Sequence, residues 1–142
     1  MITNLQDFFR SDEEIFLDTI QYQRIDNPER KNDQEYELLC QDSMKVTLLE
    51  NGVRVIVRRD LFFEPKEIFS LNVSFGMELL FNERKGEVDW GKVNLVEVFR
   101  ENGDFAIQQL MSRISLLVGE ITASFGQQPI ILPAMLAKKF DS

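Results

Sequence analysis

The chain is 142 residues long, with 24 acidic and 16 basic residues for a formal net charge of -8, no histidine and one cysteine. That length suits one domain able to bury a core without cross-links, and 44% hydrophobic with 28% charged residues is a globular composition. The charge repels phosphate backbones and anionic membranes, while the missing histidines and the lone Cys40 remove imidazole bases, intrachain disulfides and thiolate-built metal centres.

Residues 1–14 read as a loosely attached lead-in to a single domain spanning 1–142. Asn4 or Ser11 is placed to cap a helical turn, with Asp12, Glu13 and Glu14 suiting the positive end of its dipole. Leu5, Phe8 and Phe9 offer that turn a way to dock on the body or on a partner. No basic run leads into an apolar stretch, so no secretory signal is expected, and no segment reaches bilayer-spanning length. A cytoplasmic protein is the expectation.

Residues 15–25 predict a strand with apolar groups in both phases: Ile15, Leu17, Thr19 and Ile25 in one, Phe16, Ile20 and Tyr22 in the other. A polar loop at 27–35, opened by Pro28, separates it from a short strand in YELLCQ. MKVTLLE and VRVIVRRDLFF then flank Asn51–Gly52, the dipeptide that most readily supplies the positive φ angles of a hairpin turn. After Pro65 comes the cleanest strand: Phe69, Leu71, Val73, Phe75, Met77, Leu79 and Phe81 share one face, with Ser70, Asn72, Ser74, Gly76 and Glu78 on the other. Residues 82–92 read as a polar connection whose Trp90 suits an anchor over its own domain edge more than an interface hot spot, and residues 93–101 as one more strand.

Asn102–Gly103 closes the sheet region and Asp104 is the expected N-cap of one long helix. Ile107, Leu110, Met111, Ile114, Leu117, Val118, Ile121 and Phe125 follow its apolar stripe, Gly126 ends it and Pro129 blocks continuation. The tail QPIILPAMLAKKFDS is extended through Leu132, with a turn or short helix after Pro133. The fold class is therefore α+β: an antiparallel four- to five-stranded sheet followed by one long C-terminal helix and an extended tail.

Little in this sequence suits catalysis. Cys40 sits in an apolar strand and reads as a core thiol. Asp12, Glu13 and Glu14 lack a spacing that would aim them at a shared water, and Glu64, Glu67, Glu83 and Glu87 read as solvated loop charge. No phosphate-binding glycine loop or serine elbow is present, and no cofactor or metal is expected. Arg58–Arg59 is too small a basic cluster for a nucleic-acid footprint. The apolar surplus carries more information. Leu61–Phe62–Phe63, Leu79–Leu80–Phe81 and Leu116–Leu117–Val118 put bulky groups on two faces, and one helix cannot cover both sides of such a sheet. Self-association is the economical solution, with an exposed groove for unfolded segments as the alternative.

Paired strands, then the helix AIQQLMSRISLLVGEITASFG, then the proline-bounded apolar tail at Pro129, Ile130, Ile131, Leu132 and Pro133 resemble the bacterial export chaperone SecB and its relatives. The resemblance spans about residues 15–133, with its specific part at the helix–tail junction. It implies an ATP-independent holdase, assembled as a dimer or tetramer, that receives unfolded or exported polypeptides on hydrophobic surfaces of sheet, helix and tail. By position, Phe69, Leu71, Val73, Phe75, Met77 and Leu79 would serve the core or a client groove, Ile114, Leu117 and Ile121 would pack the helix, and Ile130, Ile131 and Leu132 would line the tail. The C-terminal AKKFDS carries no evident motif for docking on the export motor SecA. A regulatory interaction module dedicated to one partner is the alternative function.

Overall fold

Strand register decides how this chain divides its apolar residues between a core and a surface. The computed structural model describes residues 2–26, 35–124 and 130–133, and the backbone of 140–141. Strands β1 (Glu14–Ile25), β2 (Glu37–Leu48), β3 (Gly52–Glu64) and β4 (Ile68–Leu80) are followed by helices α1 (Leu95–Asn102) and α2 (Asp104–Ala123), then by a two-residue strand β5 (Phe140–Asp141). The sheet runs β1-β4-β3-β2-β5; the first four strands pair antiparallel and β5 lies parallel to β2. The antiparallel sheet with helix and tail behind it is the architecture that the strand alternation implies. The polar loop with Pro28, the helix stop at Gly126 and Pro129, and the turn after Pro133 fall outside the described residues.

On one sheet face, Val53, Val55, Val57 and Leu61 of β3 stand opposite Leu79, Met77, Phe75 and Leu71 of β4. All but Phe75 are buried. Helix α2 adds Ile107, Leu110, Met111, Ile114 and Val118, buried positions at three-and-four spacing, to the same core. The other face is held by polar pairs: Arg54 donates to Glu78 at 2.7 Å, Arg58 to Asp60 at 2.9 Å, and Ser74 to Asp18 at 2.8 Å. The hairpin between β2 and β3 forms, with the Leu49 amide donating to the Gly52 carbonyl at 2.8 Å, but Glu50 and Asn51 are its central pair and neither Asn51 nor Gly52 takes the positive φ expected of them. Its glycine is required by contact, since a Cβ there would stand 2.0 Å from the Leu79 carbonyl oxygen.

Five expectations need correction. YELLCQ and MKVTLLE are parts of one twelve-residue strand, because Cys40, Asp42 and Met44 keep a single phase through the polar middle. Residues 93–101 are not a strand. The Asn94 side chain accepts the Glu97 amide at 3.2 Å and caps α1, and the glutamate that breaks the strand alternation sits on the helix's exposed side while Phe99 is buried. There are consequently two helices rather than one, joined at Gly103, where a Cβ would lie 2.4 Å from the Phe99 carbonyl oxygen. Gly103, not Asp104, is the N-cap of α2; Asp104 occupies the first turn, where its charge suits the dipole. Finally, the described part of the lead-in, residues 2–14, is not loosely attached. Leu5, Phe8 and Phe9 are buried, and the chain is stitched to β4 and its exit by Arg10 N–H to Leu80 O at 2.8 Å and Asn82 N–H to Phe8 O at 3.0 Å.

Trp90 locks this end of the molecule. The connection at 83–93 consists of short 3-10 turns, and Trp90 within them is buried against Phe8 and Phe81, with ring centroids 5.3 and 4.9 Å away. Its indole N–H donates to the Lys85 carbonyl at 2.9 Å. The tryptophan anchors its own chain, as a buried indole with a satisfied N–H should.

Candidate functional site

The face covered by α2 continues beyond the helix onto β1. Ile15 and Leu17 stand opposite Met77 and Phe75; the register then slips between Leu17 and Thr19, and Ile20 and Tyr22 stand opposite Val73 and Leu71. Asp18 is the extra residue, and its carboxylate accepts from the Ser74 hydroxyl of the neighbouring strand. A one-residue bulge moves every later side chain to the other face of a strand. Here it brings together residues that strict alternation assigns to opposite phases: Leu17, Ile20 and Tyr22 form one apolar strip beside the core.

That strip is open. Leu17 is 49% exposed, Ile20 45% and Tyr22 41%, whereas their β4 neighbours Val73 and Leu71 are at 0% and 2%. Phe75 is half-buried at the border. α2 adds the half-buried Leu117 and Ile121, while the well exposed Leu116 lies on the side of the helix turned away from the sheet. β1 ends the sheet order, so its outer backbone edge has no neighbouring strand among the described residues.

Across the sheet, the tail is strapped to α2 and β3. The Ile130 amide donates to Thr122 Oγ1 at 2.8 Å. Pro133 O accepts from Arg59 Nη1 at 3.0 Å and from the Ser115 hydroxyl at 3.3 Å. Arg59 is itself buried and makes two 2.8 Å bonds to the buried Asp42 carboxylate. Burial opposes the guanidinium's charge, but the hydrogen bonds and charge of Asp42 outweigh it and hold Arg59 above its ordinary pKa. The adjacent arginines therefore do different work: Arg58 pairs with Asp60 on the polar face, and Arg59 ties β2, β3, α2 and the tail together.

The twelve candidate residues separate by burial. Phe69, Leu71, Val73, Met77, Leu79 and Ile114 lie in the core, Phe75, Leu117, Ile121, Ile130 and Leu132 are half-buried, and Ile131 is 81% exposed. Leu17, Ile20 and Tyr22 were not among the candidates that periodicity selects. The signal for them was the break at Asp18, where apolar positions 15 and 17 give way to 20 and 22.

The chemical alternatives gain no geometry. Burial pushes the Cys40 thiol up to about 11; Arg59 opposes that shift and Asp42, 3.6 Å away, adds to it. A thiol so placed is a poor nucleophile. Glu67 accepts a hydrogen bond from Tyr36, and Glu87 is paired with Arg84 at 3.0 Å. No cluster of three potential metal ligands occurs among the described residues. No helix among them is long and apolar enough to cross a membrane.

No family model and no curated protein matches this sequence. Solved structures do share its fold. The Mycobacterium tuberculosis Rv1957 SecB-like chaperone, determined in complex with a ChAD peptide from the Rv1956 HigA1 antitoxin, superposes with a TM-score of 0.64 over 91% of this chain and 92% of its own, at 18% sequence identity. The four-stranded antiparallel sheet, the helices behind it and the tail are thus the SecB-like fold.

Proposed function

We propose that this chain, built on the SecB-like fold, is an ATP-independent chaperone that holds extended hydrophobic segments of unfolded or exported polypeptides. The observation that carries the reading is the continuation of the core face past α2 as the open strip Leu17, Ile20 and Tyr22. An extended client lays alternate side chains on such a surface while its backbone bonds to a free strand edge, a combination that needs neither nucleotide nor bond-breaking residue. Phe75, Leu117 and Ile121 would flank the client, the buried β4 residues and Ile114 would form the floor beneath it, and Ile130, Ile131 and Leu132 would add a second apolar contact beyond α2. The net charge of -8 would keep the loaded complex soluble.

Self-association as a dimer or tetramer belongs to the same proposal, since exposed apolar edges are commonly closed by a second copy. A second reading has its own support. The structural neighbour was captured with a peptide from one antitoxin, which favours a dedicated client, or a regulatory module for a single partner, over a general holdase.

The test is light scattering of a chemically denatured enzyme diluted into rising amounts of this protein without ATP, with oligomeric mass recorded in parallel. Suppression of aggregation near stoichiometric ratios is expected, and Ile20→Ser combined with Leu17→Ser should abolish it while preserving the circular dichroism spectrum. No suppression by the intact protein would sink the general holdase and leave the dedicated partner.

A further inference from the structure

The sheet face beneath α2 runs out on two sides, and the chain treats them differently. On the β1 side the apolar strip is open. On the β2 side the chain's own tail is laid down. Ile130 and Leu132 are half-buried and packed against the core, while Ile131 between them is 81% exposed. That is the period-two pattern of an extended chain resting on a surface. The chain then returns as β5, which adds to the outer edge of β2 opposite Asp42 and Ser43. The tail thus makes both contacts that an extended polypeptide makes with a sheet: alternate side chains on an apolar face, and backbone on a strand edge.

The grip is light. It consists of the Ile130 amide on Thr122 Oγ1, the Pro133 carbonyl on Arg59 and Ser115, and a β5 of two residues. That short ladder is parallel, the less stable of the two pairing geometries. The rest of the outer edge of β2 has no neighbouring strand among the described residues. A tethered segment acts at an effective concentration on the order of millimolar, so weak contacts keep it in place while nothing competes. A longer strand that pairs along more of β2 can take its place.

We infer that the tail is a displaceable strap, an internal competitor that occupies a second binding surface on the β2 side and yields it to another extended segment. The strap itself stands on this geometry; only the naming of its competitor as an unfolded client rests on the chaperone reading. While it is in place the molecule offers one apolar strip, and when it lifts it offers two.

Two measurements test it. In site-resolved hydrogen exchange of the intact protein, the Ile130 amide should exchange through a local opening whose rate ignores low urea, while the Val55 amide waits for global unfolding. Exchange of both through global unfolding alone would overturn the strap. The second measurement is fluorescence anisotropy of a dye-labelled peptide with the sequence of residues 127–142. The intact protein should exclude it, because its own tail competes. The full chain carrying Ile130→Ser and Leu132→Ser should bind it about tenfold or more tightly, whereas Ile131→Ser, which keeps the inward residues, should still exclude it. Adding Ser115→Ala and Thr122→Ala to the first variant should weaken the peptide again, since those hydroxyls hold the strap. Near-ultraviolet dichroism checks that each variant folds. Equal peptide binding by the intact chain and the first variant, or binding that ignores the α2 changes, would also overturn the inference. Aggregation suppression is run alongside: its absence from the intact protein, with the peptide behaving as expected, would remove the chaperone reading and uphold the strap.

Discussion

Arg59 and Asp42 form a buried ion pair that also reaches Pro133 and Ser115. Removing one partner strands a charge in the core, and such losses cost about 3–5 kcal/mol. We expect Arg59→Ala to lower urea stability by that amount, and Arg59→Met combined with Asp42→Leu to recover most of it. Recovery would show that the pair specifies the position of the tail more than it stabilises the fold. The thiol nearby gives a second residue-level prediction. Its folded pKa of about 11 exceeds the reference of 9.0, so the protonated thiol contributes stability below pH 9 that is lost as pH rises through 11. The intact protein should therefore lose more stability between pH 9 and 11 than Cys40→Ala, measured by denaturant melts at each pH. At pH 8, iodoacetamide should alkylate Cys40 slowly until the protein is unfolded.

Elements with one unbroken period were readable in the sequence. β4 shows its core face without interruption, and α2 shows its stripe. Where the pattern breaks, two explanations compete and local residues decide. In β1 the break at Asp18 is a bulge, which is legible only when a neighbouring strand fixes register. In residues 93–101 the valines favour a strand, yet the Asn94 cap and the three-and-four spacing of Leu95, Phe99 and Asn102 win. Because Asp18 is the extra residue, deleting it should leave Leu17, Thr19 and Ile20 opposite Phe75, Ser74 and Val73 without a bulge, and should lower the melting temperature less than deleting Gln21, which carries Tyr22 onto the polar face. Gly52→Ala tests the hairpin. Its Cβ would meet backbone that cannot give way, so a loss of about 1–3 kcal/mol in denaturant melts is expected.

At the scale of the whole molecule, the four-stranded sheet, the long helix and the acidic charge were legible, α1 was not, and the candidate site was only partly so. Leu71 and Ile20 are both apolar strand residues, and nothing in their own segments says that α2 covers one and leaves the other open. Exposure is a property of the assembled layers: helix placement over β3 and β4, with β1 left at the sheet's end. The lead-in was misjudged for the same reason, since its anchoring depends on a pocket supplied by Phe81, Trp90 and Phe99 from distant parts of the chain.

The central claim is that unfolded polypeptide lies on the β1 strip. Benzoylphenylalanine placed at position 20 faces the strip, whereas at position 21 it faces the polar side, where Gln21 meets Asn72 at 3.1 Å. Photo-crosslinking each protein to a radiolabelled, reduced and alkylated polypeptide should give strong adducts from position 20 and few from position 21. Equal labelling at both positions, or adducts from position 20 only to a second copy of this chain, would contradict it.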